Sequence, residues 1–202
     1  MPKEVEYRME KLLRKLELNP IIPAVRTEGE SLEKALCGDH PAIFVFGGDV
    51  FKLISKIETE ESRPPIFVNV DLIGGVAGDA TGIGFLSQHV EGVISTSRRV
   101  IELANSTDLI TIQRLFAIDA MAMERGVKLI KRTKPKFVEI VPALAYPRMA
   151  SGYSELLNRP VLTGGFVRSM EEVSFILDAG AVGVSSSHQA LWKGALDSKV
   201  RN

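Results

Sequence analysis

Apolar and polar residues alternate in blocks along this chain. Short β-branched runs recur, and each is followed by a longer stretch in which apolar residues return every three or four positions. The runs are Ile21–Val25, Ala42–Phe46, Ile66–Val70, Gly92–Ser95, Leu109–Gln113, Phe137–Val141, Val161–Thr163 and Ala181–Val184. Most intervals between them can hold a crossover helix, which neighbouring parallel strands require.

Several of these helices carry their own start signals. Asp49, after Gly47 and Gly48, can cap a helix whose Val50, Leu53, Ile54 and Ile57 form one apolar stripe. Ser97 and Asp119 stand in the same position before Val100–Ala104 and Met123–Ile130. Ser169 and Glu172 form a capping box, Val173, Ile176 and Leu177 follow on one face, and Gly180 suits the left-handed residue that ends the helix. The proline-rich interval after Val141 predicts only a short helix near Ser151–Leu157. Ahead of the first strand, residues 1–17 predict an extra helix with Val5, Met9, Leu12, Leu13 and Leu16 on one face. That face either covers one end of the sheet or packs on a neighbouring subunit.

Eight strands, each leading to a helix, predict an α/β chain: a compact TIM-like (β/α)8 barrel over residues 21–196, with the additional N-terminal helix, in one domain of residues 1–202. An open dinucleotide-binding sheet would show a glycine-rich turn after the first strand, whereas Val25 is followed by Arg, Thr and Glu. Such barrels typically need about 250 residues, so short loops are expected. The length leaves little room for a separate nucleic-acid domain.

Composition narrows the function classes. The chain is 45% hydrophobic and 25% charged, enough apolar surface to fold without help. No window approaches the roughly 18 apolar residues of a membrane helix, and Met1–Arg14 lacks a signal-peptide core. The lone Cys37 fits a reducing cytoplasm. His40, His89 and His188 are far apart and show no zinc spacing. With 25 basic and 25 acidic residues, bulk charge does not mark a nucleic-acid binder, so any RNA contact is expected to be local. Two basic clusters are candidates, Arg98 with Arg99, and Lys128, Lys131 and Arg132 with Lys134 and Lys136, although ordinary solvated helix faces are the better explanation of both.

Barrel active sites lie at the C-terminal strand ends. There the pleat suggests a ring of Arg26, Asp71, Gln113, Glu139 and Thr163 facing one pocket. Glu139 sits inside a buried strand and needs a partner, for which Arg26 is the candidate. Asp71 and Glu139 could do acid–base work or hold Mg2+, although nothing requires either. Gly164 and Gly165 follow the seventh strand, and Ser185 and Ser186 follow the eighth and lead to a helix. In a barrel those two loops are the usual phosphate site, because glycines admit close N–H groups and helix starts offer unpaired donors. The glycine-rich stretch Gly74–Gly84 lacks a Walker lysine and is expected to be a loop over the mouth, or else a helix weakened by glycine.

The motifs Phe67–Ile73, Gly92–Thr96, Ile112–Phe116, Val138–Pro142, Thr163–Arg168 and Leu191–Lys193, with Ile22–Arg26 before them, resemble the glycerol uptake operon antiterminator family over roughly residues 20–193. The resemblance implies a bacterial, cytoplasmic regulator that binds glycerol 3-phosphate and acts on the leader mRNA of glycerol genes, with no cofactor and no established catalysis. Gly164, Gly165, Ser185 and Ser186 would then take the phosphate, and Arg26, Asp71, Gln113 and Glu139 would meet the hydroxyls or order the site. RNA would meet the barrel itself or a homodimer of it. The alternative is a barrel lyase, isomerase or phosphodiesterase acting on a small phosphorylated polyol.

Overall fold

The computed structural model describes residues 2–60 and 62–193. In chain order the elements are α1 (Pro2–Leu18), β1 (Ile21–Val25), α2 (Ser31–Leu36), β2 (Ile43–Val45), β3 (Gly48–Asp49), α3 (Val50–Ile57), β4 (Ile66–Asn69), β5 (Ile73–Gly74), α4 (Ala80–Leu86) and β6 (Gly92–Ser95). There follow α5 (Arg98–Ala104), β7 (Ile110–Phe116), α6 (Ala120–Thr133), β8 (Phe137–Val141), a 3-10 turn (Ala143–Ala145), α7 (Tyr146–Leu157), β9 (Val161–Gly164), α8 (Met170–Asp178), β10 (Gly183–Ser186) and a 3-10 turn (Gln189–Lys193). Residues 194–196 of the expected barrel lie outside the described residues.

Eight strands close into a parallel barrel in the order β1-β10-β9-β8-β7-β6-β4-β2. The small strands β3 and β5 pair with each other outside the barrel, Gly48 opposite Ile73 and Asp49 opposite Gly74. Both Gly47 (φ +110°) and Gly48 (φ +99°) are left-handed there, and the Thr27 hydroxyl accepts from the Asp49 N–H at 2.8 Å.

The helix starts follow the expected chemistry. Asp49 accepts from the Lys52 N–H at 2.9 Å, Asp119 from Ala122 at 2.7 Å, and Ser169 and Glu172 close a reciprocal capping box. Gly180 is left-handed at φ +97°. Two expectations change. The segment Gly74–Gly84 is not a loop over the mouth: it contributes β5 and then α4, whose start is fixed by the Asp79 carboxylate accepting from the Gly82 N–H at 2.9 Å. Glycine is needed at position 82, because a Cβ there would lie 1.9 Å from the Ala77 carbonyl oxygen. The helix after β8 is also longer than expected, running Tyr146–Leu157. Pro147 falls in its first turn, where the missing N–H has no helical partner to lose.

The interior of the barrel is apolar at one end. Ile22, Phe44, Phe67, Ile94, Ile110, Ile112, Phe137 and Leu162 point inward, and Val5, Leu12 and Leu16 of α1 pack into the same cluster. Met9 and Leu13 are partly buried against it. α1 therefore covers the N-terminal end of the strands. Glycine at 183 gives it room: a Cβ there would come within 2.8 Å of the Leu16 side chain. A second, outer apolar layer lies between strands and helices and includes Val45, Val68, Val93, Val138 and Val184. No helix among the described residues is long and apolar enough to cross a membrane.

Candidate functional site

The open end of the barrel holds a cavity of about 890 Å3. The loops after β1, β9 and β10 form most of its wall, with Leu72 and Phe116 opposite. Beneath lies a polar floor that the pleat of β7, β8 and β10 builds. Arg114 follows Ile112 on the inward face of β7, and its Nε donates to Glu139 Oε2 at 2.8 Å. Ser185, inward on β10, donates its hydroxyl to Glu139 Oε1 at 3.1 Å. Both carboxylate oxygens of the fully buried Glu139 are thus engaged. The Arg114 guanidinium also stacks on the Phe46 ring, 4.2 Å from its centroid. Its side chain is 13% exposed, so it remains in reach of the cavity.

The partner of Glu139 is therefore Arg114 and not Arg26. Arg26 lies at the rim, pairs with Glu28 at 3.5 Å and donates to the Phe46 carbonyl oxygen at 3.4 Å. An exposed pair of this kind contributes little to stability.

Gly164 ends β9 on the inward face, where a Cβ would lie 2.1 Å from Ser185 Oγ. The next two residues are both left-handed, Gly165 at φ +88° and Phe166 at φ +64°. This is an uncommon conformation for a side-chain-bearing residue. It turns the main chain across the cavity wall. Among the described residues, the N–H groups of Gly165, Phe166 and Ser187 donate to no protein acceptor, and all three residues line the cavity. Ser186 is spent on the loop itself: its hydroxyl donates to the Val167 carbonyl oxygen at 2.8 Å and accepts from the His188 N–H at 3.1 Å. A 3-10 turn, not an α-helix, follows β10, and Trp192 Nε1 donates to the Ser186 carbonyl oxygen at 2.8 Å. Arg168 and His188 complete the rim.

Other expected members of the ring stand elsewhere. Gln113 faces outward between strands and helices, where its amide donates to the Ser95 and Thr96 carbonyl oxygens at 3.0 Å each. Thr111 shares that face and donates to Asn105 Oδ1 at 2.8 Å. Thr163 is outward too, on the side of Val161, with no hydrogen-bond partner for its buried hydroxyl. Asp71 lies just past β4 and is exposed. It accepts from the Ser95 hydroxyl, and from the Thr96 N–H at 2.6 Å and hydroxyl at 2.8 Å. It straps the end of β4 to the end of β6 outside the cavity wall.

The basic residues separate into two groups. Arg98 and Arg99 start α5 at the open end, Arg98 pairing with Glu102 at 2.7 Å. Lys131 and Arg132 occupy the last turn of α6, at the closed end, where their charge complements the helix dipole; Lys128 lies one turn earlier. At 1.5 Å per residue, this helix of 14 residues is about 21 Å long. No group of three or more His, Cys, Asp or Glu among the described residues could hold a metal ion.

Residues 21–192 match the family model described as glycerol-3-phosphate responsive antiterminator. The chain belongs to that family. Relatives extend the match. The glycerol uptake operon antiterminator regulatory protein from Listeria monocytogenes has a structure similar to this one at TM-score 0.78, with 29% identity over 87% of this chain and 96% of that one. A glycerol uptake operon antiterminator-related protein from Thermotoga maritima superposes at TM-score 0.76, with 24% identity over 88% of this chain and 99% of that one. An uncharacterised protein, YgcP, of Escherichia coli is 27% identical over 184 residues, covering 90% of this chain and 95% of that protein. The chain thus shares its overall fold with these two antiterminator structures. Arg114, the residue that composition and pleat failed to single out, lies inside the Ile112–Phe116 motif.

Proposed function

We propose that the cavity binds glycerol 3-phosphate and that the bound form acts on the leader mRNA of glycerol genes as an antiterminator. The observation that carries the reading is the set of N–H groups without a protein acceptor on Gly165, Phe166 and Ser187, three residues that line a cavity whose floor is an Arg114–Glu139–Ser185 network. Main-chain N–H groups at glycine-rich strand ends are suited to phosphate oxygens. Gly164 lets the chain pass close to Ser185, and Arg26, Arg168 and His188 surround the anion with donors. The floor suits a small polyol: Arg114 offers remaining guanidinium donors, and Glu139 holds Arg114 in place. In this reading Ser185 and Ser186 shape the two loops through their hydroxyls, while their neighbours supply the N–H groups. Asp71 and Gln113 order the strand ends from outside. Leader transcripts are made in the cytoplasm, which is where the protein would act.

Isothermal calorimetry with glycerol 3-phosphate, glycerol and inorganic phosphate tests the assignment. Saturable binding is expected for glycerol 3-phosphate, weaker binding for phosphate and none for glycerol. Equal affinity for glycerol and glycerol 3-phosphate would remove the phosphate from the proposed loops.

A further inference from the structure

The cavity is polar below and apolar above. Three large apolar side chains stand exposed around its edge: Phe166 at 80%, Leu72 at 54% and Phe116 at 52%. Arg26 and Arg168 line the same cavity, and Glu28, itself paired with Arg26, is the one carboxylate among the lining residues. Exposed aromatic faces with interspersed arginines suit unstacked bases and a phosphate backbone, because every base has a face to stack and each backbone step carries a negative charge. Phe166 belongs to both levels. Its N–H has no protein acceptor and the residue lines the cavity, while its side chain is exposed to solvent.

We infer that single-stranded RNA docks on this rim, with bases stacked on Phe166 and Phe116, and that effector and RNA meet through the Phe166 turn. The inference rests on the effector reading above. An anion held by the Gly165 and Phe166 N–H groups fixes that turn in its left-handed form and so fixes the aromatic side chain that RNA uses. Differential affinity of the ligand for the fixed turn is what couples the two events.

The test uses fluorescence anisotropy with a single-stranded leader RNA of a glycerol uptake operon, at glycerol 3-phosphate concentrations that saturate each variant by calorimetry. Phe166→Asn keeps a residue that tolerates the left-handed backbone; Phe116→Gln changes a separate strand end. Each is expected to weaken RNA binding tenfold or more, the range set by loss of one stacked base. The charge-reversed Lys128→Glu, Lys131→Glu, Arg132→Glu protein is expected to change it less than threefold. The inference is overturned if both rim variants bind RNA like the parent, or if the helix variant is the one that loses it. It is also overturned if the ligand-saturated parent binds no RNA, or if the rim variants alter only the sedimenting mass, which would make the rim a contact between copies of the chain. Should glycerol 3-phosphate give no heat, the pocket reading fails separately. The rim variants, assayed without ligand, then support or overturn the docking surface by the same tenfold criterion.

Discussion

The two ends of the barrel are made by the same strands and the same pleat, yet they differ in kind. At the closed end the inward positions are Phe44, Phe67, Ile94, Phe137 and Leu162, and α1 seals them with Val5, Leu12 and Leu16. At the open end the next inward positions are Arg114, Glu139, Gly164 and Ser185, and the enclosing residues leave N–H groups unpaired. One end derives its free energy from dry packing, which tolerates no cavity. The other keeps a buried ion pair, whose attraction is largely offset by desolvation, and accepts incomplete hydrogen bonding. The contrast separates where the molecule is held together from where it is free to bind.

The sharpest way to break that division is at the floor. Arg114→Ala leaves Glu139 buried without its cation, so denaturant unfolding should show a loss of about 3–5 kcal/mol, with glycerol 3-phosphate binding abolished in calorimetry. Converting the floor to the chemistry of the closed end, with Arg114→Met and Glu139→Leu together, should recover most of that stability while binding stays absent. Leu16→Ala attacks the closed end alone. It should cost about 2–5 kcal/mol, and the ligand affinity of the folded protein should stay within about threefold of the parent. Gly164→Ala drives a methyl group into Ser185 Oγ. An overpacking cost of about 1–3 kcal/mol is expected, with ligand affinity down at least tenfold. The smallest effect belongs to His40, just ahead of β2. Burial lowers its pKa from 6.5, opposed only in part by the nearby Asp39 charge. The unfolded chain therefore takes up the proton first, and stability is retained above about 6.5 and lost as pH falls toward the folded value. Denaturant midpoints measured from pH 7 to 5 should decline less in His40→Leu than in the parent.

The elements themselves were readable because each announces itself locally. β-branched runs mark the strands, and Asp49, Ser97, Asp119 and Ser169 mark helix starts. Inside and outside were not equally readable. A parallel strand in a barrel is buried on both faces, so Thr111 and Gln113 look inward by polarity but face the helices, where Asn105 takes the Thr111 proton and the Ser95 and Thr96 carbonyls take the Gln113 amide protons. Ending the fifth barrel strand at Gln113 also hid Arg114, because β7 runs on to Phe116. The pair β3 and β5 has no sequence signal at all: two residues on each side are too few to carry a period. The strand-end loops proposed above to take phosphate announce themselves through Gly164, Gly165, Ser185 and Ser186. In that proposal the donors are main-chain groups of Gly165, Phe166 and Ser187, which side-chain identity does not reveal.

The α1 seal makes the barrel a cup with one opening. Whatever small molecule enters must leave by the way it came, past Phe166 and Phe116. A macromolecule seated across that rim is then a stopper, and release of the captured molecule has to wait for the stopper to lift. Order of departure is thereby built into the shape: last in, first out.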